Sequence, residues 1–375
     1  MAVADTLAHD VLTIEIRHRL RRFSLDVELA VGRETLALVG PSGAGKTSVL
    51  RAVAGLYRPD HARIDLGGRT LLDTTRRVDP PPESRRVGLM FQDGALFPHL
   101  SIARNVEYGL RPRPRGRRER RARVDELLAR YGIAELRDAR PGRASGGERQ
   151  RAALARAVAT TPDVLLLDEP LSALDSVTKA RVSRELAEWL AELGLPTILV
   201  SHDYVDVAGL ADRIAVIDAG RIVQVGTAAD LQRAPASPFV AAFVATNYFR
   251  GTARRDGELT MVTLPQGACL ACAAPASGEV ALVVDPWAVR LTRADDDGTP
   301  SGPTVVRGTV AQLVRTGGLV RVSVSSDPPL VAELPAEQAD RLGLARGALV
   351  AASWSAGAAR LVGADGAGGG GAQAG

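Results

Sequence analysis

Residues 40–47 read Gly-Pro-Ser-Gly-Ala-Gly-Lys-Thr, and this stretch decides the fold. It fits G-x-x-x-x-G-K-[ST], the pattern of a phosphate-binding loop. The apolar run 35–39 before it predicts a strand, and residues 47–56 after it have the apolar spacing of a helix. Backbone N–H groups at such a helix start point at a bound phosphate. The sequence therefore predicts a nucleotide site, in which Lys46 reaches the terminal phosphates and the Thr47 hydroxyl contacts Mg²⁺.

Composition limits the other possibilities. The chain has 375 residues, enough for two or three domains, and 46% of them are hydrophobic. No stretch approaches the roughly 18–20 apolar residues of a membrane span, and the charged first twenty residues do not resemble a secretory segment, so we expect a soluble, cytoplasmic protein. Cys269 and Cys272 are the only cysteines. One C-x-x-C pair lacks two further zinc ligands, so we expect neither a metal site nor a disulfide there.

Basic residues are nearly all arginine. Among 47 basic residues, Lys46 and Lys179 are the only lysines. A dense run of arginines occupies positions 111–123 and could contact nucleic acid or acidic lipid headgroups. A solvated linker followed by the first turns of a helix explains the same run without a ligand, and we expect no nucleic acid partner.

The order of apolar segments predicts the fold class. Residues 10–31 alternate in polarity as two antiparallel strands would, and 64–72 reads as a hairpin. The continuous apolar runs 164–167 and 197–200 are typical of strands buried on both faces. Strands that alternate with helices around a phosphate loop indicate a layered α/β domain with a mainly parallel sheet.

Polar residues at the ends of these strands are the candidates for chemistry. Gln92 is predicted to end a strand, the pair Asp168–Glu169 ends another, and His202 follows a third. Ligands bind at the carboxyl ends of parallel strands. Asp168 suits a Mg²⁺ shell, Glu169 the base or water-positioning role, and His202 a hydrogen bond to the γ-phosphate and that base. Ser145 is predicted to cap a helix that begins with two glycines, whose N–H groups are open to an anion.

Composition changes after about residue 235, which suggests a second domain. Its segments are short and strand-like and are separated by turns, as in a small β-barrel of OB-like type. The predicted organisation is a nucleotide-binding domain over 1–235 with a helical subdomain at about 98–160, a linker helix at 236–248, a β domain over 249–363 and a disordered Gly/Ala tail at 364–375.

The order of these motifs resembles the ATP-binding subunit of ABC transporters over roughly residues 10–230. The resemblance implies a P-loop NTPase domain of that family, with antiparallel β and helical subdomains, that binds ATP and Mg²⁺. It matches 40–47 to the Walker A motif, 164–168 to Walker B and 172–175 to the D-loop. Ala144 to Glu148 matches the signature L-S-G-G-Q, with Ala144 and Glu148 in place of its outer residues.

The roles of individual residues follow from the same resemblance. It implies that Glu169, His202 and Gln92 are catalytic and that Thr47, Gln92 and Asp168 hold the metal. The implied nucleotide contacts are Gly40, Pro41, Ser42, Gly43, Ala44, Gly45, Lys46, Thr47, Ser48, Ser145, Gly146, Gly147, Glu148 and Asp175. The family also stacks adenine on an upstream aromatic residue, for which His18 and Phe23 are the nearby candidates.

Partners are implied as well. In this family two subunits face head to tail, so that Ser145–Gly147 of one copy cover the ATP of the other, at the cytoplasmic face of the membrane. The resemblance implies a separate membrane permease and, indirectly, a substrate-binding protein. Residues 40–48, 85–93 and 96–99 look most like the molybdate importer subfamily, and residues 332–343 resemble its oxyanion-binding type of terminal domain, termed TOBE or Mop.

Other functions stay open from the sequence. Sulfate, ferric iron and polyamines are alternative solutes for an importer. A non-transport ATPase of the same superfamily would act on DNA or ribosomes, but the chain shows one ATPase half and no sustained heptads. A binding module with a degenerate ATPase disagrees with the intact Lys46, Asp168, Glu169 and His202.

Overall fold

The computed structural model describes residues 11–20, 23–110, 116–294, 302 and 304–363. Two compact units divide the chain, residues 1–228 and 229–375. The predicted Gly/Ala tail and three arginines of the basic run (Arg111, Arg113 and Arg115) lie outside the described residues. None of the helices in the described ranges is long and apolar enough to cross a membrane.

One mixed sheet runs through the described part of the first unit. Its spatial order is β5-β4-β1-β2-β10-β9-β3-β8-β7-β6. The strands are β1 (Leu12–Arg19), β2 (Ser24–Val31), β3 (Thr35–Val39), β4 (His61–Leu66), β5 (Arg69–Asp73), β6 (Val87–Met90), β7 (Val164–Asp168), β8 (Thr197–Val200), β9 (Arg213–Asp218) and β10 (Arg221–Gly226).

The sequence does not predict the helices at 204–210, 228–233 and 336–341, whereas it does predict helices after the phosphate loop, within about 98–160 and after Ser145. The described helices lie in both units. They are α1 (Lys46–Ala54), α2 (Ile102–Tyr108), α3 (Arg117–Arg130), α4 (Gly146–Ala159), α5 (Ser176–Leu193), α6 (Tyr204–Leu210), α7 (Ala228–Arg233), α8 (Pro238–Phe243) and α9 (Ala336–Arg341). The remaining arginines of the basic run lie in α3, where Arg123 pairs with Glu126 at 2.6 Å.

Strand direction places the site. β1 and β2 pair antiparallel, as predicted, and β4 continues that antiparallel region. By contrast β3, β8, β7 and β6 are mutually parallel neighbours. Parallel strands end at the same edge of a sheet, so residues that follow β3, β7 and β8 come together. The predicted α/β fold is confirmed, and its parallel part consists of β9, β3, β8, β7 and β6.

Two buried clusters hold this unit together. The first packs α1 against the inward faces of β1, β2, β4 and β5. The second joins α2, α3, α4 and α5 to the other side of β7 and β8. Because β3 and β8 are covered on both faces, all of their residues are buried. The continuous apolar runs in the sequence reflect that double burial.

The second unit is all-β apart from short helices, as expected. In the described residues it has β11 (Asn247–Asp256), β12 (Leu259–Thr263), β13 (Cys269–Cys272), β14 (Gly278–Val284), β15 (Arg290–Arg293), β16 (Val305–Thr316), β17 (Leu319–Ser326), β18 (Leu330–Pro335), β19 (Leu349–Ser353) and β20 (Ala359–Gly363). They form two five-stranded sheets, β13-β12-β11-β14-β20 and β15-β19-β16-β17-β18. All pairings are antiparallel, and the second sheet is consistent with a small barrel-like domain.

Candidate active site

The phosphate loop, residues 40–47, leaves β3 and enters α1. Gly45 is the residue before the helix and has φ of +110°, a left-handed conformation that favours glycine. Gly40 is required for a different reason, because a Cβ there would lie 2.0 Å from the carbonyl oxygen of Ile217. The glycine pattern therefore has a steric basis in this fold, and it leaves the loop backbone open along its outer side.

Lys46 lies inside the loop. Its Nζ donates to the carbonyl oxygens of Gly40 and Pro41 at 2.7 and 2.9 Å. Burial lowers the pKa of Lys46, and the nearby negative charges of Glu169 and Asp168 oppose that shift. Lys46 therefore lies close to the carboxyl groups of Asp168 and Glu169.

Asp168 ends β7 and is partly buried. Burial raises the pKa of Asp168, and the neighbouring Glu169 carboxylate raises it further, while Arg51 and Lys46 act in the opposite direction. Two carboxyl groups held side by side repel each other when both are ionised. A hard divalent cation would relieve that repulsion, and the carboxylate of Asp168 with the hydroxyl of Thr47 supplies the oxygen donors that Mg²⁺ prefers.

Glu169 has an unusual backbone. Its φ is +50°, which side-chain-bearing residues rarely adopt. Hydrogen bonds hold it there: its N–H donates to Val200 O at 2.9 Å, and its carbonyl accepts from the Ser172 hydroxyl at 3.0 Å. Backbone strain of this kind clusters at functional sites. The carboxylate then lies 2.9 Å from Nδ1 of His202, so the two residues that follow β7 and β8 are in direct contact.

Gln92 corrects one expectation. β6 ends at Met90, and Gln92 is exposed in the turn that follows instead of ending the strand. The turn contains Gly94 and Ala95, both with positive φ. Arg156 of α4 holds it by donating to the carbonyl oxygens of both residues at 2.7 Å. The apolar pattern extends past the end of the strand because Phe91, the first residue of the turn, is apolar although it is 37% exposed.

Ser145 caps α4, as predicted. Its hydroxyl accepts from the Glu148 N–H at 3.4 Å, and the Glu148 carboxylate accepts from the Ser145 N–H at 2.7 Å. This reciprocal pair is a capping box. The hydrogen bond from the Ser145 backbone lowers the pKa of Glu148. Glu148, the residue that departs from the usual signature, therefore has a local structural role. Asp175 similarly accepts from the Thr178 N–H at 3.1 Å, at the start of α5.

The sequence left the aromatic contact open, and the structure separates its two candidates. Phe23 lines a pocket of about 400 Å³ together with Leu20 and the loop residues Gly43, Gly45, Lys46, Thr47 and Ser48. His18 instead pairs with Asp60 at 2.9 Å and meets Tyr57 edge-on. Phe23 is thus the aromatic side chain that lies beside the phosphate loop.

A phosphate loop at the end of a parallel strand, facing an acidic pair and a histidine on neighbouring strand ends, defines a nucleotide-hydrolysing class of α/β protein. The family model described as ABC transporter matches residues 21–172. The molybdenum import ATP-binding protein ModC of Mycobacterium tuberculosis is 39% identical over 310 residues, covering 81% of this chain and 84% of that protein. The chain therefore belongs to the ATP-binding proteins of ABC importers, and it is an ATPase.

Other relatives of similar identity carry different names. The sulfate/thiosulfate import ATP-binding protein CysA of Mycobacterium bovis is 40% identical over 308 residues, 78% of this chain and 85% of that protein. The spermidine/putrescine import ATP-binding protein PotA of Pseudomonas fluorescens is 37% identical over 321 residues, 82% and 86% of the two chains. A solved dimeric ATP-binding cassette with ADP and Pi has a TM-score of 0.49 and 26% identity, over 58% of this chain and 98% of that one.

Proposed function

We propose that this ATPase drives solute uptake through a separate membrane permease, at the cytoplasmic face of the membrane, and that molybdate or a related oxyanion is the solute. The observation that carries the catalytic part is the 2.9 Å contact between Glu169 and His202, which follow β7 and β8. Of these strands, β8 lies next to β3, from which the phosphate loop leaves. Hydrolysis of a terminal phosphate depends on charge neutralisation and on a positioned water.

In this proposal each residue at the edge has one task. Lys46 and the loop N–H groups bind the β- and γ-phosphates. Thr47, Asp168 and Gln92 hold Mg²⁺, which supplies charge neutralisation when it is bound. Glu169 accepts a hydrogen bond from the attacking water and orients it, and His202 holds the Glu169 carboxylate by its Nδ1 and turns the rest of its ring towards the phosphate. Phe23 packs against adenine.

We propose that two copies assemble head to tail, with Ser145, Gly146 and Gly147 of one copy covering the ATP of the other. The capping box supports this, because it holds the start of α4, where Ser145 is exposed, in a fixed conformation. Glu148 and Asp175 would flank the same ATP. A permease would dock near Gln92 and the helical segment 98–140, and a substrate-binding protein would deliver solute to the permease.

We also propose that residues 1–235 form the ATPase domain, with a helical subdomain at about 98–160, a linker at 236–248 and a regulatory domain of TOBE or Mop type at 249–363. Relatives named for molybdenum, sulfate and polyamine import are 37–40% identical to the chain over most of its length. Identity alone does not separate these solutes, so the molybdate proposal depends on the resemblance of the loop segments.

Uptake measurements test the solute directly. A strain that lacks this gene should lose uptake of radiolabelled molybdate and regain it when the gene is returned, whereas Lys46→Ala should not restore it. Uptake of sulfate, ferric iron and spermidine, measured in the same strains, tests the alternative solutes. Loss of sulfate or spermidine uptake with molybdate uptake intact would contradict the molybdate proposal but leave the ATPase assignment in place.

A further inference from the structure

Lys179 has no part in the roles described above, although the structure places it beside them. Lysine occurs at positions 46 and 179 alone, in a chain that uses arginine for its other 45 basic residues. Lys179 is the fourth residue of α5, the helix that begins directly after residues 172–175. Its side chain is 24% exposed and lines a small cavity of about 90 Å³ together with Glu169, Ser172, His202, Asp203 and Asp206.

The ammonium group of Lys179 joins two carboxylates. It lies 2.5 Å from Asp203 Oδ2 and 2.8 Å from Asp206 Oδ2. Asp203 follows His202 directly, and its other oxygen accepts from the Val205 N–H at 2.9 Å, which caps α6. Asp206 is only 8% exposed at its side chain, so without Lys179 its charge would be buried beside a second carboxylate.

We propose that Lys179 is a positioning residue for hydrolysis: by clamping Asp203 and Asp206 it fixes the segment that carries His202, so that Nδ1 of His202 meets Glu169. The clamp also joins the start of α5 to the start of α6. The same ion pairs therefore connect His202 to residues 172–175, which directly precede α5. Those residues would lie at the interface of two copies. This inference rests on the proposed roles of Glu169 and His202.

The choice of lysine supports this role. An ammonium is a compact charge with three donors, and it fits between two carboxylates in a small cavity, whereas guanidinium is a larger planar fork. Burial tends to lower the pKa of Lys179, but the hydrogen bonds to Asp203 and Asp206 outweigh it and raise that pKa. The ammonium is therefore charged at neutral pH, as a clamp on two acidic groups requires.

Steady-state hydrolysis by the full-length protein, with ATP and Mg²⁺, tests the proposal. Lys179→Met should lower kcat about 10- to 100-fold, because a small misplacement of a catalytic group is enough to do so, and should leave the KM for ATP unchanged. Lys179→Arg should recover part of kcat. The matched control is Arg181→Met, which removes an exposed cation from the same helix and should leave kcat unchanged.

A double substitution separates positioning from general stabilisation. If Lys179 acts through His202, Lys179→Met should lower kcat less than twofold in a His202→Ala background. A full loss in that background, or a Lys179→Met kcat within twofold of wild type, overturns the proposal. If Lys179→Met does not fold, Asp206→Asn replaces it in these measurements, because it removes one of the two carboxylates that pair with Lys179.

The NMR signals of the imidazole rings test the same point without hydrolysis. The chain has five histidines, and His202→Ala identifies the ¹H–¹³C signal of His202. That signal should move in Lys179→Met and stay in place in Arg181→Met. An unmoved signal overturns the positioning role. If the signal moves but His202→Ala hydrolyses ATP at the wild-type rate, the positioning stands and the proposed role of His202 fails.

Discussion

Each end of α1 holds a positive charge, fully buried at the carboxyl end and partly buried at the amino end, and the surroundings of the two charges differ. At the carboxyl end, Arg85 is 1% exposed and donates to Ala52 O, Val53 O and Pro80 O at 2.7, 3.1 and 3.0 Å, and to Asp79 at 2.7 Å. At the amino end, Lys46 bonds two loop carbonyls and faces two carboxyl groups that repel each other.

The contrast separates structure from function. Arg85 donates to two carbonyls in the last turn of α1, where helical hydrogen bonding is incomplete, and its guanidinium fills the space beside Gly55, where a Cβ would lie 2.6 Å from Arg85 Nε. Each nitrogen of the Arg85 guanidinium has an acceptor within the protein. The strand ends opposite Lys46 keep like charges together, an arrangement that costs stability unless a cation joins them. The first arrangement stabilises the helix, and the second is suited to a ligand.

The largest change in stability is expected at the carboxyl end of α1, where Arg85 lies. Arg85→Met leaves Asp79 and two helix carbonyls without their buried donor, so we expect the free energy of unfolding to fall by about 3–5 kcal/mol. Arg58 also pairs with Asp79, at 3.5 Å, but its side chain is 58% exposed. Arg58→Met should therefore cost about 0–1 kcal/mol. Chemical denaturation of both variants checks this, and equal losses would contradict the structural role of Arg85.

At the amino end of α1, we expect a substitution to raise the free energy of unfolding instead of lowering it. Because the folded-state pKa of Asp168 is raised, the native state binds its proton more tightly than the unfolded chain does. The contribution of Asp168 to wild-type stability should then fall as pH rises above about 4, the ordinary range for aspartate. Asp168→Asn removes this penalty.

We expect Asp168→Asn to stabilise the protein by about 0.5–2 kcal/mol at pH 7, the usual gain of a stabilising substitution, with the gain shrinking towards pH 4. Denaturation curves at several pH values measure it, and the same variant should have lost Mg²⁺-dependent hydrolysis. If Asp168→Asn instead lowers the free energy of unfolding, the proposed contrast between the two ends of α1 is wrong.

The smallest effect concerns the pocket beside the loop. Phe23→Leu keeps an apolar side chain but removes the aromatic face, so ATP affinity should fall by about 0.5–1.5 kcal/mol, or roughly 2- to 12-fold. Inorganic triphosphate, which has no base, should bind both proteins equally. Isothermal titration with the two ligands makes the comparison, and an unchanged ATP affinity would exclude Phe23 as the adenine contact.

The sequence predicts what depends on local pattern. The phosphate loop, the cap at Ser145 and the buried strands before Asp168 and His202 all come from short-range spacing and chemistry. The left-handed backbone of Glu169 and the contacts of Lys179 do not, because hydrogen bonds from distant strands and helices impose them.

The second unit is predicted less completely. Its all-β character follows from alternation, but the pattern does not predict β11, β13 or β20. Of these, β13 and β20 are short strands in segments rich in small residues. The helix α9 was also not predicted, because six residues give too little periodicity. The arrangement of two sheets depends on long-range pairing, which local patterns do not encode.

Glu169→Gln tests the central claim most directly, because it keeps the shape of the side chain and removes its charge. The full-length variant should bind ATP with Mg²⁺ as tightly as wild type and hydrolyse it at least about 100-fold more slowly, as expected when a base is lost. Glu188→Gln, an exposed substitution on α5, should hydrolyse at the wild-type rate. Hydrolysis by Glu169→Gln within threefold of wild type would contradict the assignment of this edge as the catalytic site.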